Sequence, residues 1–300
     1  MTISELRIYP IKSLGGISVT EAVVEERGFR YDRRFMLVQR TEDATWDFIT
    51  QRFNYQMALV DVAIEGNTLK VWHRHRPEDV LELPLAGPTT EGTETLRVNI
   101  WDSKGVPVVT VSSEADHWFS KVLGIECRLV YMPNTTRREV DPAYARQGDV
   151  VSFADGYPYL LIGQASLDEL NQRLPAGSSS ITMLRFRPNI VVSGSAPYDE
   201  DAWNEFQVGG MHFYGVKPCA RCVLTTIDPA TGQKGSEPLK TLATFRQWKH
   251  KILFGQNVLP AQQTSGVLRV GQTINVIRSQ DPWLAAPSLV MSSLTSAKNL

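Results

Sequence analysis

The chain of 300 residues has only three cysteines, an odd number and too few for a disulfide-stapled secreted scaffold. It has no apolar run near the roughly 20 residues of a membrane helix; Tyr159-Leu160-Leu161-Ile162 is among its longest. Met1-Thr2-Ile3-Ser4-Glu5 has no basic stretch leading into an apolar one, so no secretory signal is visible. A soluble, cytoplasmic chain without a membrane span is expected. No charge sign dominates: 31 Lys and Arg stand against 32 Asp and Glu, a net −1, which does not suit a nucleic-acid binder. His-Glu-x-x-His, Gly-x-Ser-x-Gly and Gly-x-Gly-x-x-Gly are all missing, which leaves protease, esterase and dinucleotide readings unsupported. What is present is 42% hydrophobic residues, enough for a sizeable core.

Short apolar runs broken by turns fill the first part. Ile3, Leu6 and Ile8 precede Tyr9-Pro10. Phe35 to Val38, Leu59 to Val62, Leu69 to Trp72, Leu96 to Val98 and Val108 to Val111 follow, with turn chemistry at Glu65-Gly66-Asn67 and Asp102-Ser103-Lys104-Gly105. This spacing predicts a mainly β fold, a barrel or sandwich, with few helices. Three helices are expected. One runs from Ser113 to Leu123, with Ser113 as cap, Asp116 at capping-box distance and Gly124 as stop. One spans Ser166 to Leu174, with Ser166-x-x-Glu169 as capping box. One follows Glu237-Pro238, with Leu239, Leu242, Phe245 and Trp248 on one face. Strands are expected again at Asn189 to Val192, Met211 to Tyr214, Cys222 to Ile227 and Val267 to Ile277, with a frayed tail after Ser279.

Cys219-Ala220-Arg221-Cys222 is the sharpest local motif. A thioredoxin-like pair would open a helix, but the residues after Cys222 read as a strand ending in Asp228-Pro229. A structural zinc site needs a second ligand pair, and none is present. Two readings stay open on spacing alone: one reactive or metal-binding thiolate, favoured by Lys217 and Arg221 nearby, or two buried thiols. In an extended backbone Cys219 and Cys222 point to opposite faces and cannot share a metal.

Cationic and hydrogen-bonding residues recur elsewhere. If Arg185 to Ile190 is extended, Arg185, Arg187 and Asn189 share one face, as a phosphate or polar heterocycle would require. Lys12-Ser13 opens a glycine turn after the first strand, a plausible anion cradle. Arg33 and Arg34 point opposite ways beside the next strand, and Phe153-Ala154-Asp155-Gly156-Tyr157-Pro158 reads as a turn carrying a carboxylate. Each alone also reads as ordinary surface or turn chemistry.

The ordered set Tyr9-Pro10-Ile11-Lys12-Ser13, Asp32-Arg33-Arg34-Phe35, Phe153 to Pro158, Phe186-Arg187-Pro188-Asn189, Lys217 to Cys222 and Phe254-Gly255-Gln256-Asn257 resembles the MOSC-domain family with its N-terminal β-barrel domain. Within it, the set is similar to the branch of mitochondrial amidoxime-reducing components and bacterial reductases of N-hydroxylated nucleobases. The resemblance covers about residues 3–278.

The resemblance implies an N-terminal β-barrel domain over 1–115, a MOSC β-barrel with flanking helices over 116–278 and a flexible tail over 279–300. It implies a molybdenum cofactor, with Cys219 as metal ligand and catalytic residue, and Lys12, Ser13, Arg34, Arg187 and Asn189 as cofactor-binding residues. Asp155 matches an acidic position near the metal and is expected to deliver protons. The implied reaction reduces amidoximes or hydroxylaminopurines to amidines or amines. The alternative is a non-catalytic cofactor carrier or sulfur-transfer module; a fused sulfurase domain would need a pyridoxal-phosphate fold, for which this length leaves no room. No cysteine follows Cys222, so an iron–sulfur domain found in some relatives is not expected. Electrons are expected from a separate donor of cytochrome b5, flavoprotein or ferredoxin type, and the family's mitochondrial anchor is not expected.

Overall fold

The computed structural model describes residues 1–89 and 93–284. It is mainly β, with three α-helices. Five strands close a barrel, paired in the order Thr95–Ile100, Ser103–Thr110, Arg128–Tyr131, Phe35–Arg40 and Trp46–Phe48. Phe35–Arg40 is buried on both faces at its start. Met36 and Val38 join one apolar cluster with Val98, Val108 and Val130, while Phe35 and Leu37 join another with Leu69, Val71 and Phe119. The period-2 side-chain alternation therefore feeds two cores from one strand. The hairpin Val60–Glu65 to Thr68–His73 pairs Glu65 with Thr68, and Gly66 takes the φ of 58° that its two-residue turn requires.

The C-terminal half is built on a nine-stranded sheet. Its inner strands are Thr2–Ile8, Ile190–Ser193, Tyr159–Gly163, Lys251–Pro260, Met211–Arg221 and Trp203–Val208, each paired with the next. The first strand of the chain thus belongs to the sheet of the second half, through pairs such as Leu6 with Ile190. Gly266–Arg269 likewise pairs with Glu21–Glu25. The expected boundary at residue 115 is crossed by pairing in both directions, and the barrel strand Arg128–Tyr131 lies beyond it.

Helix Ser113–Leu123 has the predicted bounds and the predicted Gly124 stop at φ 68°. Its cap is Ser112, whose Oγ accepts from Ala115 N at 3.1 Å. Asp116 instead accepts from Leu129 N at 2.7 Å and Arg128 Nε at 3.1 Å, tying the helix to the barrel. The second helix is Gln164–Gln172, starting before the expected cap. Ser166 Oγ donates to the buried Glu200 carboxylate and accepts from Tyr198 N, so it serves tertiary contacts and not a capping box. The third, Leu239–Ala243, stops before Phe245, and Trp248 sits in the short strand Gln247–Trp248.

Cys222 to Ile227 is not a strand. Val223–Thr226 forms a 3-10 turn. Thr225 Oγ1 donates to Cys222 O at 3.0 Å and Thr226 Oγ1 to Val223 O at 2.8 Å. The hydroxyls offer the backbone local partners that outcompete the β preference of their branched side chains. Val267 to Ile277 divides into Gly266–Arg269 and Ile274–Ser279 about Gly271, at φ 87°. Of the expected tail, Trp283 packs on Trp248 and Tyr144, and residues 285–300 lie outside the described residues. Among the described residues no helix is long and apolar enough to cross a membrane.

Candidate functional site

Three backbone stitches assemble one wall of a cavity. After strand Thr2–Ile8, Tyr9 O accepts from Arg33 N, and Phe35 exchanges hydrogen bonds with Pro10 O and Lys12 N. Phe153 N then donates to Arg33 O, which brings the Phe153 to Pro158 turn alongside. The opposite wall comes from strand Met211–Arg221. In its pairing with Lys251–Pro260, Pro218 opposes Gln256 and Ala220 opposes Leu253. Cys219 therefore faces two residues, Phe254 and Gly255, across a β-bulge. Gly255 takes φ 78°, and a Cβ there would lie 2.7 Å from Ile162.

The cavity between these walls measures about 160 Å³. Lys12, Ser13, Asp155, Arg187, Asn189 and Cys219 all line it, so six of the seven sequence-predicted site residues meet there. Arg34 does not. Its Nη2 donates to Met132 O at 2.5 Å and Asn134 Oδ1 at 2.9 Å, bracing the loop after the barrel strand. Arg33 lines the cavity instead, donating to Asn189 Oδ1 at 3.0 Å and Arg187 O at 3.2 Å. The adjacent arginines do face opposite ways, but the inward one is the first. Arg185 is also elsewhere: it sits in the 3-10 turn Met183–Arg185 and pairs with Asp228 at 2.7 Å. The expected extended run fails because Arg187 takes φ 56°.

Strain concentrates here. Of nine non-glycine residues with positive φ among the described residues, three line the cavity: Ser13 at 68°, Arg33 at 49° and Arg187 at 56°. Such conformations cost of order 1 kcal/mol or more each and persist where surrounding contacts impose them. Cys222 lines the cavity too, which corrects the opposite-face expectation; the strand ends at Arg221, so the alternation that would turn Cys222 away stops. Arg52, Trp101 and Tyr157 were not singled out from the sequence. Nothing in Gln51-Arg52-Phe53 marks Arg52, which the fold delivers to Asp155 at 3.2 Å.

The electrostatics are lopsided. Five cations, Lys12, Arg33, Arg52, Arg187 and Arg221, line the cavity against one carboxylate, Asp155. Lys12 is buried and donates to Phe153 O at 2.7 Å and to Asp155. Burial, only partly offset by Asp155, pulls its ammonium down to about 8. Asp155 is half exposed; against the desolvation that would raise it, Lys12, Arg52 and the Trp101 indole N–H hold it well below the usual carboxylate range. It is thus held as an ionised acceptor. Burial pushes the Arg187 guanidinium down to about 10. Arg187 Nη2, Arg221 Nε and Arg52 Nε are buried without a hydrogen-bond partner. Unsatisfied cationic donors around a cavity fit an anion.

The thiol of Cys219 accepts from Arg221 Nη1 at 2.9 Å, and Arg221 Nη2 is anchored on Phe186 O at 2.6 Å. The guanidinium fixes the direction of a sulfur that can serve as a soft metal ligand. Among the described residues no group of three or more His, Cys, Asp or Glu side chains gathers as a metal site. A metal at Cys219 must bring further ligands of its own. The residues present therefore fit an anionic, phosphate-bearing group that carries a thiophilic metal. Cys127 is remote from this chemistry: it is buried beside Ser120, and burial pushes its thiol up to about 11.

The profile of the MOSC N-terminal beta barrel domain matches residues 1–126, and that of the MOSC domain matches residues 148–275. The chain is 34% identical to mitochondrial amidoxime-reducing component 1 of Mus musculus, over 92% of this chain and 82% of that protein. The Homo sapiens counterpart is 31% identical, over 92% and 83%. A molybdenum cofactor sulfurase of Solanum lycopersicum is 29% identical over 84% of this chain, which spans only 32% of that protein.

Proposed function

The chain belongs to the MOSC family, and from that premise we propose that it is a molybdenum-cofactor-dependent reductase of N-hydroxylated compounds such as amidoximes and hydroxylaminopurines. The observation that carries the reading is the thiol of Cys219, held by Arg221, in a cavity lined by arginines with unsatisfied donors. The balanced reaction is R–NHOH + 2 e⁻ + 2 H⁺ → R–NH₂ + H₂O. When bound, the cofactor supplies the two-electron redox change.

The chain's own residues do the rest. Cys219 is the protein ligand to the metal, a soft donor suited to molybdenum. Lys12, Ser13, Arg33 and Arg187 would hold the anionic part of the cofactor, and Asn189 orients Arg33 through its Oδ1. Asp155 keeps Lys12 charged and in place, a positioning part. Arg221, anchored on Phe186 O, fixes the direction of the Cys219 sulfur. The electron donor is a separate protein.

The test is metal analysis by mass spectrometry of chain purified from a cofactor-competent host, followed by amidoxime turnover with a chemical donor. About one molybdenum per chain and turnover are expected; a molybdenum-free chain overturns the reading. Similarity to the sulfurase supports a second reading, a cofactor carrier or sulfur-transfer module. Molybdenum binding without turnover would select it.

A further inference from the structure

The wall that carries Cys219 runs outward into an exposed cationic tip. In the pairing of Met211–Arg221 with Lys251–Pro260, Arg221 opposes Ile252. One residue on, Lys251 pairs with Trp248 across a tight turn through Lys249 and His250. Lys249, His250 and Lys251 are all exposed, and among the described residues none of them meets a carboxylate. Two residues along a strand and one strand spacing separate Cys219 from Ile252, so the tip lies within about 15 Å of the thiol.

The tip also rests on aromatic rings. Lys249 Nζ lies 4.3 Å over the Trp248 ring, and Trp248 meets Trp283 at 4.6 Å. Trp283 meets Tyr144 at 6.2 Å. Lys217 Nζ lies 4.0 Å over Tyr144 and 5.0 Å over Tyr157, which lines the cavity. A continuous bed of aromatic rings and lysines therefore joins the tip to the rim of the site. Lys217 also pairs with Asp141 at 3.6 Å, so the unpaired cations are Lys249 and Lys251, a local feature in a chain of net charge −1.

We propose that the Lys249–Lys251 tip, with Trp248, Trp283 and Lys217 behind it, is the docking surface for a small acidic electron-donor protein. This rests on the reductase reading. Each turnover of R–NHOH to R–NH₂ and water consumes two electrons and two protons, so a one-electron carrier must dock, give up its electron and leave twice. Brief encounters of that kind use small, charge-steered surfaces and weaken with salt. An anionic membrane is the poorer fit, because the two tryptophans cover each other and present no apolar wedge.

The experiment uses the cofactor-loaded full chain, with the acidic haem domain of cytochrome b5 and an acidic [2Fe–2S] ferredoxin as probes. Binding is followed by surface plasmon resonance between 20 and 300 mM salt. Binding of at least one probe, weakening as salt rises, is expected. The K249E/K251E variant is expected to weaken it about tenfold or more at low salt, leaving amidoxime turnover with reduced methyl viologen unchanged. Unaltered binding by K249E/K251E, an equal loss with Lys104→Glu on the barrel, or binding of neither probe overturns the docking proposal. So does a loss confined to phosphatidylserine vesicles. Lack of viologen-driven turnover in the unchanged chain overturns the reductase reading instead, so the two failures are distinct.

Discussion

Asp155→Asn separates a positioning carboxylate from a proton donor. Lys12 is 5% exposed, and burial already pulls its ammonium from 10.5 to about 8 with Asp155 in place. A hydrogen bond to a charged group is worth about 1.5–3 kcal/mol. The Asp155 side chain is 56% exposed, so screening leaves about 1 kcal/mol of charge attraction to lose. At about 1.4 kcal/mol per pH unit, Lys12 drops by about one further unit. Asparagine keeps an acceptor for Lys12 but removes the charge. At pH 7.5 the charged fraction of Lys12 in the empty site then falls from about three quarters to about one quarter.

A lysine depressed by burial is charged below its folded-state value and neutral above it, so its attraction for a bound anion fades as pH rises through about 8. Cofactor retention, read as molybdenum per chain after desalting at pH 6.5, 7.5 and 8.5, should decline along that series in the parent. In Asp155→Asn the same decline should come about one unit lower. Turnover per bound molybdenum should change little. A retention curve identical to the parent's, with turnover per molybdenum abolished, would show that Asp155 moves protons and would refute this reasoning.

Arg33→Ala should lose the cofactor with a small change in melting temperature, whereas Arg34→Ala, which strands the buried Met132 carbonyl, should cost roughly 2 kcal/mol and spare retention. The reverse pattern in paired retention and melting measurements would restore Arg34 to the site. Cys219→Ala should abolish molybdenum binding and turnover; Cys222→Ala should keep both and lose about 1 kcal/mol of stability, checked by denaturant titration. Glu200 is fully buried, and burial raises its carboxyl to about 7 from an ordinary 4.5. The folded chain keeps this proton after the unfolded chain has lost it, so stability should fall between pH 4.5 and 7 by about 3 kcal/mol at most. Glu200→Gln should flatten that part of the stability profile, and an unchanged slope there assigns the pH dependence to other groups.

Much of the fold was legible because it rests on local chemistry. Short apolar runs marked most strands of the barrel, Glu65-Gly66-Asn67 a hairpin outside it, and Ser113 to Gly124 a helix with its stop. The ordered motifs also brought Lys12, Ser13, Arg187, Asn189 and Cys219 together as candidates before any geometry was available. The failures share a cause: local preference lost to a partner distant in sequence or to a side chain that the pattern treats as neutral. Threonine hydroxyls turned Cys222 to Ile227 into a 3-10 turn, Glu200 took Ser166 from its capping box, and a φ of 56° at Arg187 broke the extended run that would have aligned Arg185.

The amino-acid sequence by itself determined the residue types: one useful thiol pair, several cations in motif order, and a mainly β pattern. Only the tertiary structure decided which of Arg33 and Arg34 turns inward, that Arg52 and Trp101 reach Asp155, and that Asp155 is therefore held ionised. Charge state and direction depend on what surrounds a group in three dimensions, and backbone stitches between residues more than a hundred positions apart, such as Phe153 on Arg33, supply those surroundings.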